Sequence, residues 1–240
     1  MNTVIDLICQ HRSIRAFTDQ PLTDEERQAI LAAGQAASTS SLIQAVSVIR
    51  ITDADIRAQL AELAGHQAYV AQAAEFWVFC IDFQRHAALD SEIQPDFTEL
   101  TLIGAIDAGI MAQNALLAAE SLGLGGVYIG GLRNSAYEVD QLLKLPRNTA
   151  VLFGLCLGHP DQQPDLKPRL SPEVIMHTNA YQPATPQQIE EYDQRMEVYY
   201  AQRAGGQKQA NWSAQMIDKL SKESRPHMLA YLQHKGLARR

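Results

Sequence analysis

The chain has 240 residues, 46% of them apolar, and a formal net charge of −7. That length and apolar share suffice for a substantial core. The acidic balance argues against a general nucleic-acid surface, which draws on clustered Lys and Arg. Cys9, Cys80 and Cys156 stand far apart in apolar segments without a Cys-x-x-Cys pair. They are expected to be buried free thiols in a reducing cytoplasm. The histidines show no ligand spacing, so no metal site is expected. The first residues lack the features of a secretory signal.

Residues 4–9 carry apolar side chains at helical spacing and predict a short helix leading into His11-Arg12-Ser13-Ile14-Arg15. In an acidic chain this basic, hydroxyl-bearing run is a candidate anion site. A guanidinium is a planar fork of donors suited to phosphate, and on a helical turn Arg12 and Arg15 share a face. A solvated arginine pair is the plainer alternative. Thr23-Asp24-Glu25-Glu26 is a capping box that opens a helix reaching about residue 37. The Ser38-Thr39-Ser40-Ser41 cluster after it reads as loop. Residues 46–51 are β-rich, and 53–63 predict a helix stopped by Gly65. The continuous apolar run over 76–81 fits a strand covered on both faces.

The longest predicted helix spans residues 98–122 and ends at Gly123. Its length invites a membrane reading. Asp107, Gln113, Asn114 and Glu120 lie inside it, each costly in lipid, so a core helix is expected instead. Residues 125–134 then read as a short strand running into Gly130-Gly131. Glycine there admits positive φ and lets a flat ligand approach bare backbone N–H groups, with a tight turn as the alternative. The run Gly123-Leu124-Gly125-Gly126-Val127-Tyr128 does not make a dinucleotide fingerprint. Tyr128 holds the third glycine position, and the glycines follow a helix and precede a strand. There is no Gly-x-Ser-x-Gly and no Walker motif.

Ser135-Ala136-Tyr137-Glu138 reads as a further capping box, with its helix ending before Pro146. Residues 150–157 predict a second buried strand, and Leu166-Lys167-Pro168-Arg169-Leu170 a stiff basic loop. Thr185-Pro186-Gln187-Gln188 opens a polar helix to about residue 203, followed by a break over 204–208 expected to be flexible and basic. Helices from about 212 and 226 complete a tail with little core of its own. Such a tail is expected to wrap around something else, a second copy first.

Taken in order, and with Ala73-Ala74-Glu75-Phe76 and Ala118-Ala119-Glu120-Ser121-Leu122-Gly123-Leu124-Gly125-Gly126, these segments carry a resemblance. The chain resembles the nitroreductase-like flavoproteins, in particular the NADPH-dependent group. That group holds oxygen-insensitive NADPH nitroreductases and the NADPH:flavin oxidoreductases of luminous bacteria. The resemblance implies an α+β fold, a mixed central β-sheet flanked by helices, in an intertwined homodimer with FMN at the interface. It implies an FMN-binding core over residues 1–180 and a helical extension over 181–240 that wraps the partner subunit.

The resemblance also implies site residues. His11, Arg12, Ser13, Lys167 and Arg169 would hold the FMN phosphate region, with Arg15 or Lys167 near the pyrimidine edge. Tyr128, Ile129, Gly130 and Gly131 would lie along the reactive ring edge. Gln67, Tyr69 and the hydroxyls of Thr39, Ser40 and Ser41 would complete the ring and ribityl contacts. Glu99 matches an acidic position linked to flavin-reductase turnover, with a dipole-favoured helix N-terminal carboxylate as the alternative. Arg203, with Lys208 nearby, matches an NADPH contact, with an exposed cation as the alternative. The implied reaction is ping-pong hydride transfer from NADPH through FMN to free flavin, a nitroaromatic or a quinone. It needs no catalytic triad, because the cofactor carries the hydride chemistry. A non-catalytic carrier that hands reduced flavin to a partner protein is the alternative.

Overall fold

The computed structural model describes residues 2–203 and 208–240. The chain divides into two compact units, Met1–Gln162 with Arg225–Arg240, and Gln163–Ser224. The division falls at residues 162 and 225, not at the expected 180, and the last helix belongs to the first unit. Residues 204–207 of the expected break lie outside the described residues.

The first unit begins with helices α1 (Thr3–Cys9) and α2 (Asp24–Gln35), strand β1 (Val46–Arg50), and helices α3 (Ala54–Leu63) and α4 (Tyr69–Gln72). Strand β2 (Glu75–Asp82), helix α5 (Gln84–Ala87), the long helix α6 (Thr98–Ser121) and strand β3 (Gly125–Ile129) follow. A 3₁₀ turn (Gly130–Ser135) leads into α7 (Ala136–Leu143) and then β4 (Thr149–Gly158). The second unit holds α8 (Pro172–Ile175), α9 (Pro186–Gln202) and α10 (Trp212–Leu220), and α11 (Met228–His234) lies in the first.

The sheet order is β1-β2-β4-β3 with every neighbouring pair antiparallel. The expected mixed sheet is thus antiparallel in its four strands, and among the described residues the parallel pairing is an isolated bridge, Ser13 to Gly126. The central strand β2 shows why its sequence is apolar throughout. Phe76, Val78 and Cys80 face one core, shared with Leu60, Ile129, Val139 and Tyr231. Trp77 and Phe79 face the other, built with Ile30, Ala112, Leu116 and Leu155. Period-two alternation therefore serves two cores. Helix α6 covers the second core with the small residues Ala112, Ala115 and Ala119. By length and composition it is long and apolar enough to cross a membrane. Here Thr101, Gly104 and Asp107 are buried on it as well.

Several capping signals act as read. Glu26 N donates to Thr23 Oγ1 at 3.1 Å while Thr23 N donates to Glu26 Oε2 at 2.7 Å. Thr185 and Gln188 repeat the arrangement at α9. The Ser135 box does not form. The chain enters α7 from the 3₁₀ turn, and Ser135 sits at φ −130°, ψ 55° without a capping side-chain bond. Cys9 also departs from expectation: it is exposed, while Cys80 and Cys156 are buried. Val4, Ile5 and Ile8 on the same helix are exposed too.

The segment after residue 225 is bound into the first unit. Tyr231 is fully buried; its hydroxyl accepts from Val151 N at 3.2 Å and donates to Asp140 Oδ1 at 3.3 Å. Lys235, also buried, pairs with Asp140 at 2.6 Å and donates to the Leu145 carbonyl at 2.8 Å. Arg239 N donates to Asp96 O at 2.7 Å.

Candidate functional site

The basic run and the glycine strand meet in the first unit. Ser13 bridges Gly126, and Ile14 N donates to Gly126 O at 2.9 Å. Glycine is required here for close approach. A Cβ at Gly126 would sit 2.6 Å from Cys156 O, and one at Gly125 would strike Ile14. Ile14 is the buried pin of the run, and Arg15 is exposed beside it. Arg12 and Arg15 therefore do not share a helical face, because pairing with Gly126 holds the backbone extended. Arg12 Nη1 donates to Gln10 O at 3.0 Å. His11 Nδ1 lies 2.6 Å from Glu120 Oε1 near the end of α6.

Four residue steps, roughly 13 Å at strand spacing, separate Gly126 from Gly130 just past the end of β3. Tyr128 stands half exposed between buried Val127 and Ile129, edge-on to Phe153 at 5.5 Å. Its hydroxyl donates to Gln113 Oε1 at 3.3 Å. Burial first, then the charge of Glu120, pushes this phenol up to about 12, so it stays neutral across the physiological range.

Neither Gly130 nor Gly131 has positive φ; among the described glycines that conformation belongs to Gly65, Gly123 and Gly236. The pair is needed for approach instead. A Cβ at Gly131 would overlap Ala64 O and Gln67 Nε2, whereas one at Gly130 would meet only the Arg133 guanidinium, at 3.4 Å. Gln67 Nε2 donates to Ala64 O, and Tyr69 Oη donates to Gln67 Oε1. Gln67, Tyr69 and Gly131 are thus brought together.

Arg133 has a structural task. Its Nη1 donates to Leu152 O, the residue that β4 leaves unopposed at the register shift between Phe79 and Cys80. Burial first, then Arg225, lowers the Arg133 pKa. His227 Nε2 lies 2.9 Å from Arg133 O, and Arg225 Nε donates to Asn134 Oδ1 at 3.0 Å.

The Ser/Thr loop is held by a residue that sequence reading did not single out as functional. Asp107, 4% exposed, accepts from the Thr39 hydroxyl and from Ser40 N at 3.2 Å. Thr39 Oγ1 in turn accepts from Gln44 N at 2.9 Å. Ser41, Leu42 and Gln44 all have φ between 48° and 57°, left-handed backbone that is uncommon outside glycine. Thr39 is therefore engaged within the chain, while Ser40 and Ser41 are exposed. Nothing in the sequence marks Asp107 as the loop's anchor, since its partners lie 67 and 68 residues away.

A second hub, Glu75, takes both Nε and Nη2 of Arg50 at 2.7 Å and the Trp77 indole N–H at 2.9 Å, and is structural. Glu99 is exposed in the first turn of α6.

The second unit carries the remaining cations. Arg169 Nη1 donates to Lys167 O at 2.8 Å. Lys167 Nζ lies 5.9 Å from the Tyr199 and Tyr200 ring centres. Arg203 Cζ lies 5.3 Å and Lys208 Nζ 5.7 Å from the Tyr200 ring centre. Tyr200, Tyr192 and Met196 form this unit's small buried cluster.

Residues 8–159 match the nitroreductase family and residues 167–240 the nitroreductase family C-terminal domain. The chain belongs to the nitroreductase family. It is 62% identical over 240 residues, all of both chains, to the NADPH-flavin oxidoreductase of Vibrio harveyi. It is 50% identical, again over all of both chains, to the oxygen-insensitive NADPH nitroreductase of Salmonella typhimurium. Among solved structures, Vibrio harveyi NADPH:FMN oxidoreductase complexed with NAD+ superposes with a TM-score of 0.94. The sequence identity there is 60%, and all of both chains is covered.

Proposed function

We propose that the chain is an NADPH-dependent, FMN-containing oxidoreductase that reduces free flavin, nitroaromatics or quinones in a ping-pong cycle. The observation that carries the reading is the Ser13–Gly126 bridge. It places a guanidinium- and hydroxyl-bearing run at one end of β3, and the Gly130 backbone, open to a flat ligand, stands at the other. These groups fit the phosphate and ring of FMN. FMN, when bound, supplies the two-electron chemistry. His11, Arg12, Ser13 and Arg15 hold its phosphate region or pyrimidine edge, and Tyr128, Ile129, Gly130 and Gly131 line its ring. Gln67, Tyr69, Ser40 and Ser41 complete the contacts, with Thr39 holding their loop. Lys167 and Arg169 are further phosphate cations, and Arg203 and Lys208 read NADPH.

Glu99 is assigned to turnover. Glu99→Gln lowering turnover at unchanged melting temperature supports that role; a lower melting temperature alone assigns Glu99 to the helix dipole. The free cysteines suit a reducing cytoplasm.

The same reading makes the protein a homodimer. Leu102, Ile106 and Ile110 form an exposed stripe on α6, 53%, 59% and 41% accessible. That spacing presents one apolar face. Residues 163–224 are the arm that reaches the second copy. Light scattering is expected to give a dimer, and a stable monomer that retains FMN overturns this part.

Purified protein is expected to be yellow, with one FMN per chain. Anaerobic NADPH is expected to bleach the flavin, and an added acceptor to restore it through many cycles. Colourless protein that ignores added FMN overturns the assignment. A single turnover without recycling replaces it with a flavin carrier.

A further inference from the structure

We propose that Tyr200 is a positioning residue for phosphate recognition, gathering three cations from separate parts of the chain around one ring. The inference rests on the NADPH reading and names what sets the preference for the phosphorylated nicotinamide. Lys167 comes from the loop before α8, Arg203 from the end of α9, and Lys208 from beyond residues 204–207. They lie 5.9, 5.3 and 5.7 Å from the same ring centre.

Three like charges repel, and a neutral, electron-rich ring face is a group that attracts all three. Tyr200 suits the part because it is itself fixed. It is 7% exposed in the cluster with Tyr192 and Met196. Its hydroxyl donates to Gln215 Oε1 at 3.4 Å, and Lys208 Nζ donates to the same oxygen at 3.3 Å. Lys208 N also donates to the Tyr200 carbonyl at 3.0 Å. Tyr200 thus meets Lys208 through its ring, through its carbonyl and through a shared acceptor.

A cation held against the face of a ring keeps N–H groups directed away from it. A phosphate monoester is the ligand whose charge and acceptor number match such a cluster. On this inference Lys167, assigned above to the FMN phosphate, shares the Tyr200 ring with the two nicotinamide-reading residues and adds to their positive field. Ring and cations together set how tightly a 2′-phosphate is held.

The test is calorimetric binding of 2′,5′-ADP, 5′-AMP and inorganic phosphate to FMN-loaded protein. The variants are Tyr200→Phe, Tyr200→Leu, and Tyr200 replaced by 3,4,5-trifluorophenylalanine. The flavin spectrum and melting temperature serve as checks on folding. Wild type and Tyr200→Phe are expected to prefer 2′,5′-ADP over 5′-AMP. The fluorinated ring has nearly the shape of phenylalanine but lacks the negative face, and is expected to weaken 2′,5′-ADP by about threefold to tenfold. Tyr200→Leu is expected to do the same, with 5′-AMP unchanged in every variant. Equal 2′,5′-ADP affinity in the phenylalanine and trifluoro forms overturns the inference, even if Tyr200→Leu fails to fold. Inorganic phosphate binding as tightly as 2′,5′-ADP also overturns it, since the cluster would then hold any phosphate. A wild type without preference for 2′,5′-ADP overturns the NADPH reading beneath it.

Discussion

The Thr39 hydroxyl donates to the buried carboxylate of Asp107, and that bond fixes the loop whose next residues carry left-handed backbone. A residue of the core helix thereby sets the geometry of hydroxyls assigned to the cofactor. Asp107→Ala removes the acceptor for two donors, Thr39 Oγ1 and Ser40 N. Leaving the part-buried Thr39 hydroxyl unpaired costs about 1–3 kcal/mol, and the exposed Ser40 N–H less. FMN affinity is expected to fall about tenfold or more, read by fluorescence titration, with far-ultraviolet dichroism unchanged. Asp107→Asn keeps one acceptor oxygen and is expected to fall in between. Wild-type affinity in Asp107→Ala would separate the loop from flavin binding.

Gly130 and Gly131 are expected to fail in different ways. A side chain at Gly131 overlaps the Ala64 carbonyl and the Gln67 amide, so Gly131→Ala should lower the melting temperature. Overpacking of this kind costs about 1–3 kcal/mol. Gly130 has room for a side chain beside Arg133, so Gly130→Val should melt close to wild type yet lose flavin occupancy. Full occupancy in Gly130→Val would confine the glycine pair to the turn.

Arg203→Ala is expected to raise the Michaelis constant for NADPH by about one to two decades. This follows from a charge-assisted contact of roughly 1.5–3 kcal/mol. NADH kinetics and the flavin spectrum should change little, and the loss should shrink at high salt, where an exposed phosphate contact is already screened. Equal losses for both nicotinamides would remove Arg203 from 2′-phosphate recognition.

Tyr231→Phe leaves Val151 N and Asp140 Oδ1 without the hydroxyl that joins them. The expected loss is about 1–3 kcal/mol, read by urea unfolding. Steady-state rates at low temperature should not change, because the hydroxyl's partners, Val151 N and Asp140, are not among the flavin-facing residues. A variant as stable as wild type would show that solvent replaces the hydroxyl.

The sequence announces what depends on neighbours close along the chain. Thr23 with Glu26, and Thr185 with Gln188, form as written because both partners lie within one helical turn. The runs that became β2 and β4 are apolar because both of their faces are covered. The order of the basic and glycine segments was enough to place the family. What stayed hidden depends on contacts distant in sequence. Glu120 reaches His11 across 109 residues, Asp107 holds Thr39 across 68, and Tyr231 meets Val151 across 80. The Ser135 box failed for a local reason that residue identity does not reveal: a 3₁₀ turn already occupies the positions before it. The tail was misread in one respect. Its last helix returns to the first unit, where Tyr231 and Leu237 lie inside the first core.

That return makes residues 163–224 a closed excursion, because both of its ends are anchored in the same folded body. A single protease cut within it would not release a fragment. The piece beyond the cut would stay bound through Tyr231, Lys235 and the Arg239–Asp96 hydrogen bond. The nicked protein should run as one species under native conditions and as two only after denaturation. Deleting everything after residue 224 is the more severe change, since it strips Asp140 of its cation and opens a tyrosine-sized hole in the first core.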